Sequence, residues 1–251
     1  MRLNGKNAVI TGCGRGIGLE IAKRFLQEGA IVVGCDVNEK HIENATKLLS
    51  KYGKIKIFKC DVSRYEDVQN FIKKAIDFLG EDRINILVNN AGIAKHTKFE
   101  DLTPEIWNNT IAVNLTGQFN TCKAVIPTMI KQRNGVILNM SSVNGIFAEG
   151  EMIHYDVSKA GILLLTKGIA WEFAKYNIRS VSICPGIIST ELVKESGMTD
   201  EAEKEFTKKI PLGRFGTVEE VANTYVFLAS DEASYITGTE IIVDGGQMCH
   251  Q

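Results

Sequence analysis

Several signals are missing from this sequence, and each absence narrows what the chain can be. It has no excess of charge of either sign: 29 Lys and Arg face 30 Asp and Glu, a formal net charge of −1. Nucleic-acid binders carry a basic excess or a basic patch, so no nucleic-acid partner is expected. No run approaches the ~18 apolar residues of a membrane span, so no membrane partner is expected. The start, Met1-Arg2-Leu3-Asn4-Gly5-Lys6, holds no apolar export segment. There is no C-x-x-C pair: Cys13, Cys35, Cys60, Cys122, Cys184 and Cys249 are scattered. Reduced thiols in a cytoplasmic protein are the expectation. Neither H-E-x-x-H nor a Cys/His cluster occurs, so no metal is expected. Linkers, repeats and low-complexity tracts are also absent, and one domain over 1–251 is expected.

What is present is an alternation of strand-like and helix-like segments. Apolar runs at 7–10, 30–35, 84–88, 135–140, 178–184 and 240–243, and the Lys/Ile alternation at 54–59, read as strands. Helical spacing fills 17–28, 39–52, 65–79, 155–176 and 218–229. A long helical stretch opens at Pro104 and breaks and resumes near Asn114 and Leu115. Most of the strands are continuously apolar, as in parallel sheets covered on both faces. The expected class is α/β: a doubly wound, seven-stranded parallel sheet of Rossmann type with helices on both faces. The charged segment 190–211 reads as irregular, and a substrate lid is expected over about 186–211.

The first strand-to-helix turn reads Thr11-Gly12-Cys13-Gly14-Arg15-Gly16-Ile17-Gly18. Glycines after a strand and opening a helix let the backbone approach a pyrophosphate, and the helix N-terminus supplies N–H groups and partial positive charge. The spacing is G-x-x-x-G-x-G rather than the strict G-x-G-x-x-G. Asp36 ends the second strand, where a carboxylate accepts from the adenosine ribose hydroxyls and repels a 2′-phosphate. It favours NAD over NADP; Arg15, a cation within reach of a 2′-phosphate, pulls the other way.

Tyr155 and Lys159 are four apart at the start of an apolar helix, on one face of it. An ammonium there is expected to lower the phenol pKa, with charge on an oxidised nicotinamide adding to the shift. Tyr155 then exchanges a proton with a substrate oxygen while hydride moves to or from carbon. Ser142 ends the fifth strand, where a hydroxyl can hydrogen-bond a developing alkoxide.

Thr11-Gly-x-x-x-Gly-Ile-Gly18, Asp61-Val62, Asn89-Asn90-Ala91-Gly92, Asn114, Ser142, Tyr155-x-x-x-Lys159, Pro185-Gly186, Ile188-x-Thr190 and Asp244-Gly245-Gly246 span nearly the whole chain. In these residues the sequence resembles the short-chain dehydrogenases/reductases, in their single-domain branch of about 250 residues. The resemblance implies that Ser142, Tyr155, Lys159 and Asn114 are catalytic, Asn114 kinking its helix and holding a water that relays protons to Lys159. It implies that Gly12, Arg15, Gly16, Ile17, Gly18, Asp36, Asp61, Val62, Asn90, Tyr155, Lys159, Ile188 and Thr190 bind cofactor. Of these, Asp61 and Val62 would contact adenine, Lys159 the nicotinamide ribose, and Ile188 and Thr190 the carboxamide. A homotetramer is implied as well.

Substrate walls are expected from 93–99, 143–154 and 186–211. His96 and His154 read first as solvated loop residues, and Glu149 and Glu151 favour a hydroxylated substrate such as a sugar or polyol. The first expectation is therefore an NAD-dependent oxidoreductase acting on the CH–OH group of a small secondary alcohol, or on the matching ketone. The alternatives are an NADPH-dependent 3-oxoacyl-[acyl-carrier-protein] reductase and, in another class, a redox-inactive dinucleotide-binding regulator. Ile162, Leu163, Leu165 and Ile169 read as either core or subunit interface.

Overall fold

The structure, a computed structural model, describes residues 1–80, 83–191 and 200–249, with backbone only for 200–202. Its strands are β1 (Asn7–Thr11), β2 (Ile31–Asp36), β3 (Ile55–Lys59), β4 (Ile86–Asn89), β5 (Gly135–Met140), β6 (Ile178–Pro185) and β7 (Glu240–Val243). Between them lie α1 (Gly16–Gln27), α2 (Glu39–Leu49), α3 (Tyr65–Leu79), α4 (Pro104–Ile111), α5 (Gly117–Gln132), α6 (Ile153–Phe173), α7 (Asp200–Lys208) and α8 (Val218–Ala229). The sheet order is β3-β2-β1-β4-β5-β6-β7, all neighbours parallel. The expected class is the observed one.

Strand residues alternate between two cores, which explains the unbroken apolar runs. Ile10, Val32, Val88, Leu138 and Val181 face α1 and α8, where Phe25, Val221 and Tyr225 are buried. Val9, Val33, Leu87 and Ile137 face α3 and α5, against Phe71, Val125 and Met129. A strand buried twice has no solvent face on which to place polar residues. Short-range chemistry ends the helices. Gly80 takes φ 77° at the end of α3, and Thr217 and Glu220 form a capping box at the start of α8.

Two expectations change. The break near Asn114 and Leu115 is a π-helical turn, Ala112–Thr116, joining α4 to α5. The supposedly irregular segment contains α7; residues 192–199 of the expected lid lie outside the described residues.

Winding outward in both directions puts the switch of strand order between β1 and β4. The crevice beyond the strand C-termini at such a switch is where open α/β sheets hold ligands.

Candidate active site

The ends of β1, β2 and β4 build the first half of the site. The Thr11 hydroxyl accepts from the backbone N–H groups of Asn90 and Ala91, each at 3.1 Å. Asn90 Nδ2 donates to the carbonyls of Thr11 (3.1 Å) and Gly12 (2.9 Å), sewing the glycine loop to the end of β4. Gly12 has φ 64°, and a Cβ on it would stand 2.8 Å from Ala91 Cα, so only glycine fits. A Cβ on Gly18 would collide with the Gly12 carbonyl and Asn90 Nδ2. Beyond this loop α1 begins at Gly16 with no acidic residue in its first turn, and the space beside Gly16 is open. An N-terminus with that room and no competing carboxylate suits a pyrophosphate. Arg15 and Ile17 are half-buried there.

Asp36 Oδ2 accepts from Gly14 N (3.1 Å), Oδ1 from Asn38 N (3.0 Å), and His41 Nδ1 lies 3.9 Å from Oδ1. A cavity of about 170 Å³ lined by Gly14, Arg15, His41 and Glu191 adjoins it. Asp61 Oδ1 accepts from the N–H (3.0 Å) and hydroxyl (2.7 Å) of Ser63. Val62 is buried, a Cβ on Gly117 would crowd it, and its carbonyl accepts from Asn120 Nδ2 at 2.9 Å. The Ile188 side chain is buried in the core and abuts Gly216, so a carboxamide contact would fall to its backbone; Thr190 is half-buried.

The second half comes from β5, α6 and the π turn. Ser142 stands two residues past β5, while Tyr155 and Lys159 occupy the first two turns of α6. Asn114 is fully buried; its Oδ1 accepts from Ile93 N (2.8 Å), and its Nδ2 donates to Ile93 O (2.9 Å) and Ser158 Oγ (3.1 Å). Ser158 Oγ in turn donates to Tyr155 O at 2.7 Å, so the π turn holds the start of α6. Lys159 Nζ donates to Met140 O at 2.9 Å. Asn114 Oδ1 and Lys159 Nζ converge on Gly92, where a Cβ would lie 3.3 and 3.7 Å from them. The Ser142 hydroxyl donates to Asn144 Oδ1 at 3.3 Å and accepts from Asn144 N at 3.2 Å, on the side of the site that holds the Tyr155 phenol.

The electrostatics correct one expectation. In the chain alone the Tyr155 pKa lies above its ordinary value rather than below it. Burial pushes the phenol up to about 12; the neighbouring Ser142 hydroxyl works against that, while Asp156, Glu149 and Cys184 add to it. Burial also pushes the Lys159 amine down to about 8. Both residues are held toward their neutral forms, because the low-dielectric surroundings penalise phenolate and ammonium alike.

Other residues emerge only in three dimensions. Asn89 Nδ2 donates to Asn139 Oδ1 (2.9 Å), Asn139 Nδ2 to Thr166 Oγ1 (2.9 Å), and Thr166 pairs with Ser182 (2.6 Å), a buried polar ladder beneath the site. His154 is fully buried on α6, not solvated, and burial pushes its pKa down; His96 is exposed. Glu149 is tied to Asn144 (3.0 Å) rather than turned free to a substrate. Ile162 and Ile169 are core, whereas the exposed apolar row on α6 is Val157, Leu164 and Trp171, at heptad spacing. The sequence signal for that row is its spacing of seven.

Comparison with known proteins now bears on these residues. Residues 12–248 match the family described as Enoyl-(Acyl carrier protein) reductase. The chain is 41% identical over 247 residues to 3-oxoacyl-[acyl-carrier-protein] reductase FabG of Thermotoga maritima, covering 98% of this chain and 99% of that one. It is 39% identical over 252 residues to oxidoreductase UcpA of Salmonella typhimurium, covering 98% and 95%. A crystal structure of a short-chain type dehydrogenase/reductase from Mycobacterium marinum superposes with TM-score 0.93 at 34% identity, covering 98% of this chain and 97% of that one. The chain belongs to the short-chain dehydrogenase/reductase family of oxidoreductases, which use a nicotinamide cofactor.

Proposed function

We propose that this chain reduces the 3-oxo group of an acyl thioester to the 3-hydroxy compound. One observation carries the reading: the Tyr155 ring packs against the Lys159 amine, 5.3 Å from its centre, in low-dielectric surroundings that favour the protonated phenol. A protonated phenol can give a proton to a carbonyl oxygen, whereas alcohol oxidation needs a phenolate to take one. The relative named 3-oxoacyl-[acyl-carrier-protein] reductase supports the same reading and moves it ahead of the sugar or polyol expected from sequence.

The reduced nicotinamide, when bound, supplies the hydride. The chain's residues do the rest. Gly16 leaves room for the pyrophosphate at the N-terminus of α1, Gly12 and Gly18 let the loop pack tightly beneath it, and Arg15 and Ile17 lie beside it. Asp36 faces the adenosine ribose and disfavours a 2′-phosphate, which keeps NAD(H) as the proposed cofactor. Asp61 and Val62 border the adenine side, Asn90 lines the cofactor channel, and Ile188 and Thr190 border the carboxamide side. Ser142 hydrogen-bonds the reacting oxygen, Tyr155 protonates it, and Lys159 and Asn114 return the proton.

A second reading, NAD-dependent oxidation of a small hydroxylated substrate, is favoured by the Asp36 carboxylate. A coenzyme-coupled screen decides between them. Acetoacetyl thioester consumed with NADH at least about 10-fold faster than any sugar or polyol is oxidised supports the first reading. Turnover confined to polyols supports the second, and no turnover of any class supports a dinucleotide-binding regulator. We also propose one catalytic domain spanning the chain, a lid in the 186–211 region, a reducing cytoplasmic setting for the six free thiols, and a homotetramer using the exposed row of α6.

A further inference from the structure

Asn144 lies two residues past Ser142, buried in the short helical turn Val143–Gly145 that follows β5. Both ends of its side chain are used. Nδ2 donates to Asp156 Oδ1 at 2.9 Å and to Glu149 Oε2 at 3.0 Å. The other Asp156 oxygen accepts from Glu149 N at 3.1 Å, which closes the cluster. An ionised carboxylate only accepts, so both acids require the NH₂ end of the amide. The orientation of an amide follows from its partners, and two acids leave one choice. Oδ1 is therefore turned back to Ser142, whose hydroxyl donates to it at 3.3 Å and accepts from Asn144 N at 3.2 Å. The serine oxygen is held by a backbone donor, while its proton rests on a long bond that an incoming substrate oxygen can take over.

We propose that Asn144, held in one orientation by Asp156 and Glu149, is the positioning residue for the Ser142 hydroxyl. It acts through Ser142 and touches no reacting atom. The proposal rests on the reading above of Ser142 as the donor to the reacting oxygen. The acid pair leaves a second trace. The charged and titratable groups around the Tyr155 phenol are Asp156 and Lys159 on its own helix, Glu149 from the preceding loop and Cys184 from β6. Two negative charges among them disfavour the phenolate.

The test uses two variants of the full chain. Asn144→Ala deletes Oδ1 and both amide protons. Glu149→Gln with Asp156→Asn keeps Asn144 but removes the demand that orients it. Ser142 is examined in high-resolution crystal structures, cofactor affinity by fluorescence titration, and kcat with acetoacetyl thioester. In Asn144→Ala, Ser142 is expected in more than one rotamer, with kcat down about 10- to 100-fold and cofactor Kd unchanged within about twofold. In the double variant, the Tyr155 resonance in carbon-13 tyrosine spectra, assigned through Tyr155→Phe, is expected to titrate at lower pH. A single unchanged Ser142 rotamer in both variants overturns the proposal. So does a fall in kcat matched by an equal loss of cofactor affinity, which marks a merely structural role. Should Asn144→Ala fail to fold, the double variant decides by the same Ser142 and Tyr155 readouts. A wild-type enzyme inert toward the thioester would sink the functional reading alone, since the rotamer and titration readouts need no turnover.

Discussion

The ammonium of Lys159 lies 5.3 Å from the centre of the Tyr155 ring and donates its hydrogen bond to the Met140 carbonyl. The pair therefore meets across the face of the ring while burial holds each toward neutrality, Tyr155 at about 12 and Lys159 at about 8. Stability and catalysis are set against each other at this contact.

Lys159→Met should stabilise the cofactor-free protein at pH 7 while removing activity. The amine drops from an ordinary value of 10.5 to about 8, so the folded state carries a penalty of at most about 3 kcal/mol wherever both states are protonated. Below pH 8 that penalty is fully present. Between about 8 and 10.5 the unfolded chain binds the extra proton, so stability rises with pH. Above about 10 the raised Tyr155 pKa works in the opposite sense, because the unfolded phenol ionises first and stability falls. Thermal unfolding from pH 7 to 11 should show the rise in the parent and lose it in the variant.

Tyr155→Phe should leave the fold intact and lower kcat by about 10²- to 10⁴-fold, the usual worth of a positioned acid. Circular dichroism checks the fold and a stopped-time assay the rate. Retention of more than a tenth of parental kcat would remove Tyr155 from the proton transfer.

Asp36→Ser should raise the NADPH-to-NADH ratio of kcat/KM by about 10-fold or more, since the repelling carboxylate goes while Arg15 stays. The variant also loses the acceptors for Gly14 N and Asn38 N and should unfold more easily by about 1 kcal/mol. A parent enzyme already as efficient with NADPH as with NADH would refute the role given to Asp36.

Gly18→Ala places a methyl group against the Gly12 carbonyl and Asn90 Nδ2. Backbone cannot yield as a flexible side chain does, so the cost should be about 1–3 kcal/mol, with weaker cofactor binding. Calorimetry and a cofactor titration on the same sample measure both.

Leu164→Glu and Trp171→Glu should dissociate the oligomer. Leu164 is 72% and Trp171 90% exposed in the single chain, an unusual degree of exposure for large apolar side chains that share one helix face with Val157. Light scattering after gel filtration reports the mass; an unchanged tetramer, or a parent that is already monomeric, places the interface elsewhere or nowhere.

Local sequence revealed the segments whose signals are local. The glycine loop, the Asp36 carboxylate, the Tyr155–Lys159 spacing and the Gly80 stop each need only a few neighbouring residues to be recognised. The π turn at Asn114 showed as a discontinuity but not as a type, because its form depends on Ile93 and Ser158 reaching the Asn114 amide from other elements. His154 was misread because nothing in its neighbours says that it is buried. Ile162 and Ile169 were indistinguishable from Val157, Leu164 and Trp171 as apolar helical residues until the sheet took one row and left the other exposed.

The order of strands and helices, the double burial of the sheet and the positions of the glycine loop and of the Tyr155–Lys159 pair follow from the sequence by itself, since hydrophobic period and glycine placement act over a few residues. The protonation of Tyr155 and Lys159, the single orientation of Asn144 and the exposed row of α6 were decided only by the tertiary structure. Desolvation and hydrogen-bond partnership are set by residues far away along the chain, and only the closed sheet brings those residues together.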